Sequence, residues 1–231
     1  MNIKKNIKYL QKIKSGEISI LIKPIGAKYG SLFPKGNKKL SKNIWSFSYN
    51  SAVNCVSDKL GLCSICNKCY GKRTNRQYKN TDHYDKQCKD FFYSHSAVQI
   101  AGYLIQKNRN SKKHPLKVLR LNVIGDFIAP KDLKKFDLIA RYLYDVLGVK
   151  TYCYTKRTDL NKELAKLRYI NVNISEQTIT GFNSFKAYES KEQLQQALKN
   201  KEITNICRCD DCFSCKQCIT GKNLKIGCLF H

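Results

Sequence analysis

VLRLNVIGDFIAPKDLKKFDLIARYLYDVLGVKTYCYT, residues 118–155, sets out one strand–helix–strand unit. Leu119, Leu121 and Val123 alternate with Arg120 and Asn122, which predicts a strand over Val118–Ile124. Pro130 opens and Gly148 ends a helical period, so a helix is expected at Lys131–Leu147. A second strand is expected at Lys150–Thr155. A helix between two strands favours a crossover, and therefore a parallel pair, over a hairpin.

The same grammar continues on both sides. Downstream, a helix at Asp159–Leu167, a strand at Tyr169–Ser175 and an exposed helix over 188–200 are predicted. Upstream, Trp45, Phe47 and Tyr49 alternate with Ser46, Ser48 and Asn50 in a strand that runs into Cys55, and Ser94–Asn108 reads as a helix.

Parallel strands buried on both faces are normally continuous apolar runs. Here one face carries Arg120 and Asn122, then Tyr152, Tyr154 and Lys156, then Asn171, Asn173 and Ser175. In a curved sheet those groups would line a lumen, where each one lacking a partner costs about 2 kcal/mol or more and a ligand could satisfy it. An antiparallel sheet with one wet face is the competing explanation. The expected fold class is α/β, a partial or full parallel β/α barrel with a small cysteine-rich C-terminal metal-binding module. Residues 1–43 read as a basic N-terminal arm, 44–200 as the barrel-like domain with a first cysteine group, and 201–231 as the module.

With 42% hydrophobic residues in 231, the chain can bury a substantial core without disulfide staples. MNIKKNIKYLQKIK lacks the apolar stretch of a secretory signal, and no run of about 18 apolar residues occurs. No membrane role and a reducing, cytoplasmic setting are expected, in which clustered cysteines bind metal or catalyse more often than they pair. Lys+Arg 43 against Asp+Glu 17 gives a net charge of +26, which favours polyanions. An AT-rich genome would also enrich Lys, Asn and Ile, but it would enrich Glu as well, and acidic residues are few.

Of twelve cysteines, most fall in two groups. The first is Cys55, Cys63, Cys66 and Cys69, followed by Tyr70; the second is Cys209, Cys212, Cys215 and Cys218, with Cys207, Cys228 and His231 as alternates. C-x-x-C steps let two thiolates converge on one metal while backbone amides of the turn hydrogen-bond the sulfurs. The consecutive steps of the second group resemble ferredoxin cysteine runs more than zinc ribbons, so two four-iron, four-sulfur clusters are expected, with zinc as the alternative.

The order of features resembles the phage "gene product 88" family over roughly residues 44–231. It comprises the Ser/aromatic strand, the cysteine loop ending Cys69-Tyr70, RLNVIGDF at Arg120–Phe127, YCYTKR at Tyr152–Arg157, NVNIS at Asn171–Ser175, and a C-terminal cysteine run ending in His. More distantly it is similar to radical S-adenosylmethionine enzymes, whose partial barrels carry a three-cysteine loop after the first strand and often an auxiliary cluster. Those enzymes usually show C-x3-C-x2-C; the spacing here is x7, x2, x2, and four iron ligands would close the open coordination position. By that resemblance Gly125-Asp126 matches the strand-end element that receives the cofactor's amino group. Asp126 also ends a predicted strand, at the edge where α/β proteins place ligands, although a turn acid before Pro130 would look the same.

Three functions follow as expectations. In the first, an iron–sulfur enzyme cleaves S-adenosylmethionine to act on a nucleic acid or nucleotide and draws on an electron donor. Asp126, Lys156 and Tyr154 are then its candidate catalytic residues, and Arg120, Asn122, Gly125, Asp126, Asn173 and Ser175 its cofactor-binding residues. In the second, both cysteine groups are structural and fold a basic nucleic-acid-binding protein, in which CYGKRTNRQYKN interleaves aromatics and cations. In the third, the protein is an electron carrier, which leaves the barrel-like middle without a purpose.

Overall fold

The computed structural model describes residues 2–22, 31–36, 40–77, 81–207 and 211–229. Seven strands form one all-parallel sheet: β1 (Ile44–Phe47), β2 (Val118–Leu121), β3 (Lys150–Thr155), β4 (Ile170–Ser175), β5 (Asn183–Tyr188), β6 (Asn205–Ile206) and β7 (Lys225–Leu229). Their order is β1-β2-β3-β4-β5-β7-β6. The first five neighbours follow chain order, so successive crossovers wind one way and leave the helices on one face.

Register explains the two faces. Phe47, Leu121, Cys153 and Val172 lie in one row across the sheet and point into the main core, as do Trp45, Leu119 and Ile170. The row between them is Ser46, Arg120, Tyr152 and Asn171, and farther along Tyr154, Asn173 and Asn183 stand side by side. The polar alternation therefore belongs to a parallel sheet.

On the apolar face pack α5 (Ala97–Arg109) and α6 (Pro130–Leu147), joined by α1 (Ile3–Ser15). The basic-arm reading is corrected for this segment. Leu10 and Ile13 are fully buried, and Gly102 of α5 has no side chain to hold α1 away; an added Cβ would stand 3.0 Å from Ile13 Cδ1. Arg109 Nη1 donates to the Ile13 carbonyl at 2.8 Å, and the Gln106 side chain pairs with both the N–H and the carbonyl of Ile20. An apolar helical stripe has more to gain from burial than its lysines lose by staying at the rim.

The polar stretch after the first cysteine loop folds as α3 (Tyr70–Gln77) and α4 (Thr81–Ser94). Strand β2 stops at Leu121, short of the expected Ile124, because Asn122 turns into the left-handed region with φ 53°. The helix expected over Asp159–Leu167 shrinks to a 3₁₀ turn and α7 (Asn161–Leu164). Beyond β5, α8 (Lys191–Lys199) leads to β6, and β7 pairs in parallel with β5 through Tyr188 and Leu229. The C-terminal residues are thus strands of the same sheet, which corrects the separate module at 201–231. No helix among the described residues is long and apolar enough to cross a membrane.

The polar face is covered too. Two short helices, α9 (Cys212–Cys215) and α10 (Gln217–Thr220), precede β7, and α10 packs on β3 and β4. Ile219 packs with Ile44, Val118 and Tyr152, while Asn171 and Asn173 donate to the Cys218 carbonyl at 2.9 and 3.0 Å. The expected lumen is partly filled by the chain itself.

Candidate functional site

The first cysteine group opens at the carboxyl edge of the sheet. Cys55 stands at the N-cap of α2 (Val56–Lys59), and burial pushes its thiol pKa up. Cys63 and Cys66 are joined as a disulfide across one turn, and Cys69 leads into α3. Gly71 lets that helix close on the loop, since a Cβ there would meet Ala52 and Ile124 at 2.8 and 3.0 Å. All four cysteines line one cavity of about 180 Å³ with Asn122, Gly125, Asp126, Tyr154, Lys156 and Ser175.

Asp126 is a fastener and has no lone pair to spare for catalysis. Its carboxylate accepts from Ser57 Oγ at 2.7 Å, Thr155 Oγ1 at 2.6 Å, and the N–H groups of Lys156 and Phe127 at 2.8 Å each. Burial pushes its pKa up and those four donors pull it back. It thereby ties the cysteine loop to the ends of β2 and β3. Gly125 beside it has φ 70°, and a Cβ would stand 2.3 Å from the Asn50 carbonyl oxygen.

Other predicted residues keep free donors. Lys156 Nζ and Asn122 Nδ2 are buried and find no acceptor among the described residues, and neither does Arg120 Nε. Burial lowers the Lys156 pKa, while Glu176, Asp126, Cys69 and Cys55 raise it. The Arg120 guanidinium lies 5.2 Å from the Tyr154 ring centre. Asn173 does not line the cavity: its amide donates to the Cys153 and Cys218 carbonyls, and its oxygen accepts from Asn183 at 3.1 Å. The cofactor-binding assignment of Asn173 is corrected accordingly.

The second group lines a larger cavity of about 580 Å³ on the polar face. Cys207, Cys212, Cys215 and Cys218 face it together with Asp211, Tyr152 and Tyr154. Asp211 caps α9 by accepting from the Phe213 and Ser214 N–H groups at 2.9 and 3.2 Å. Burial pushes the Cys218 thiol up to about 11, against a hydrogen bond from the Tyr154 hydroxyl. Cys228 is buried within β7, whereas Cys209 and His231 lie outside the described residues. Among the described residues, no three His, Cys, Asp or Glu side chains stand in a metal-ligating arrangement.

Sequence reasoning missed Ser57, which nothing local marks; Tyr152 was placed on the polar face but not among the site residues, and its neighbours in space are Cys212, Cys218 and Cys207. Asp211 was legible in principle as an acid just before a short helix.

Comparison with known families places this geometry. The family model for Gene product 88 matches residues 31–180, which takes in the first cysteine group and β1 to β4 and stops before β5. The chain belongs to that family of phage gene products. No curated protein and no solved structure matches it.

Proposed function

We propose that the chain is an iron–sulfur protein, a radical S-adenosylmethionine-like enzyme that acts on a nucleic acid or nucleotide and receives electrons from a donor protein. The sheet is then an open β/α barrel, an architecture in keeping with five strands in chain order and helices on one face. One observation carries the reading: four cysteines line one cavity at the carboxyl edge of a parallel sheet, beside a buried ammonium and a buried carboxamide with no acceptor among the described residues. That is the edge where α/β proteins bind ligands.

The residues suit an anionic cluster. Cys55 sits at the N-cap of α2, and Lys156 beside Cys69 and Cys55 adds a countercharge. Cys63 and Cys66 must be reduced before they can ligate. A four-iron cluster held by three of these four cysteines, with one iron left open, would supply the electron for reductive cleavage of S-adenosylmethionine. Lys156 and Asn122 donate to acceptors of the bound ligand, Gly125 leaves backbone open beside it, and Asp126 holds the loop in place. Cys207, Cys212, Cys215 and Cys218 are the candidate ligands of a second cluster.

A second reading, a non-catalytic basic nucleic-acid-binding protein with structural zinc or iron–sulfur sites, is favoured by the asparagines. Asn171, Asn173 and Asn183 bond the backbone around α10, a use of the polar face that is purely structural.

The two separate on changing each group in turn to Ala under anaerobic purification. The enzyme reading expects the first-group variant to keep half the iron and lose all 5′-deoxyadenosine formation. Zinc in the wild type, with no such product, supports the second reading.

A further inference from the structure

At the opposite end of the sheet from the first cysteine group, a groove of about 930 Å³ crosses the starts of β3, β4 and β5. We infer that this groove is a binding site for single-stranded nucleic acid. Its chemistry is cationic and aromatic: Lys150, Arg168 and Lys222 line it with Tyr144 and Tyr169, and no acidic residue is among the lining side chains.

Three further features set it apart from an ordinary lysine-rich surface. Tyr144 is half exposed, with its ring centre 5.9 Å from that of Tyr169, and the Arg141 guanidinium lies 5.6 Å from the Tyr169 ring centre. The two rings are tilted at 55°, and a half-exposed aromatic side chain such as Tyr144 can accept a base without regard to its identity. The nearby acids are engaged elsewhere: Asp137 accepts the Arg168 and Tyr169 N–H groups at 3.0 and 2.8 Å, and Asp145 pairs with Arg141 at 3.4 Å. Finally, the Thr151 hydroxyl on the groove wall is 3% exposed and has no hydrogen-bond partner among the described residues, so a polar ligand group would complete it.

The groove also touches the second cysteine group. Ile219 and Thr220 of α10 form part of its wall, one and two residues after Cys218. A strand held here is anchored against the helix that carries Cys218, while the first cysteine group lies at the other end of β3, about 20 Å away by strand length. The inference extends the nucleic-acid part of the proposed function, yet it rests on the groove's own residues.

The test uses the full chain as purified and a fluorescein-labelled oligothymidylate, read by anisotropy across a salt series. Arg168→Gln with Lys222→Gln should weaken binding roughly tenfold and flatten the salt dependence by about one unit of slope per lost phosphate contact. Tyr169→Ala should weaken binding roughly tenfold and leave the salt slope unchanged. Lys89→Gln, an exposed lysine of α4, should bind like the wild type. Wild-type affinity in the charge variants, or an equal loss in Lys89→Gln, overturns the site; the charge variants keep the test open if Tyr169→Ala fails to fold. Iron and zinc are counted on the same samples. A zinc protein that binds through the groove refutes the enzyme and keeps this site, whereas an iron protein indifferent to groove changes does the reverse.

Discussion

Tyr154 lines one cavity with Cys218, and the same side chain stands in the wall of the cavity lined by Cys55 and Cys69. One residue in the middle of the sheet therefore borders both cysteine groups. Arg120 on its face and Phe185 at 5.0 Å hold the ring in place.

Tyr154→Phe keeps the packing and removes the hydroxyl between the two cavities. The expected cost is no more than about 1 kcal/mol by denaturant titration. In metal-loaded protein, the reduction potential of the centre at Cys218 should shift as the hydroxyl dipole beside it is lost, while the other stays put, as read by spectroelectrochemistry. Two unchanged potentials would break the link between this tyrosine and the second group.

Gly125 and Gly148 make a matched pair. Both sit near φ 70°, but a Cβ at Gly148 meets nothing within 4 Å, whereas at Gly125 it collides with the Asn50 carbonyl oxygen. Gly148→Ala should cost about 1 kcal/mol, the left-handed penalty alone. Gly125→Ala should cost about 3 kcal/mol or more, because the first cysteine loop must move. Equal losses in thermal denaturation would mean that the Asn50 contact yields easily.

Asn173→Ala removes donors from the Cys153 and Cys218 carbonyls and the acceptor of Asn183. A loss of about 2–3 kcal/mol is expected, together with faster alkylation of Cys218 in metal-free, reduced protein as α10 loosens. Unchanged alkylation at lowered stability would show that Ile219 alone seats the segment.

Arg157 forms a two-pronged pair with Asp159 at 2.8 Å in each arm, and this holds the Asp159 carboxyl below its ordinary range. A depressed carboxylate contributes stability that is present above its unfolded pKa and lost as pH falls through the folded value. Asp159→Asn should therefore be less stable than wild type at neutral pH by no more than about 1 kcal/mol, since the carboxylate is partly exposed. The gap should close below about pH 4 in urea titrations. A gap independent of pH would assign the loss to packing.

The parallel unit was legible where local pattern is enough. Leu119 and Leu121 against Arg120, and Ile170 and Val172 against Asn171, announced two-faced strands, and Pro130 with Gly148 marked the ends of α6. What covers the polar face was not legible, because the bond from Asn171 to the Cys218 carbonyl spans 47 positions and leaves no local periodicity. Helix α3 was missed because YGKRTNRQ has no apolar stripe; it is seated by Gly71 on Ala52 and Ile124. Asp126 was singled out, but its partners were not legible, since the spacing carries no trace of Ser57 and Thr155, whose hydroxyls bond it.

The central claim is that the first cysteine group holds a cluster with a site for S-adenosylmethionine. The most direct test is paramagnetic resonance of anaerobically purified, dithionite-reduced protein with and without that molecule, beside iron and zinc counts. The account predicts a brown protein with a four-iron signal that shifts on adding S-adenosylmethionine and no longer shifts in Lys156→Met. A colourless protein with stoichiometric zinc and no signal would contradict it.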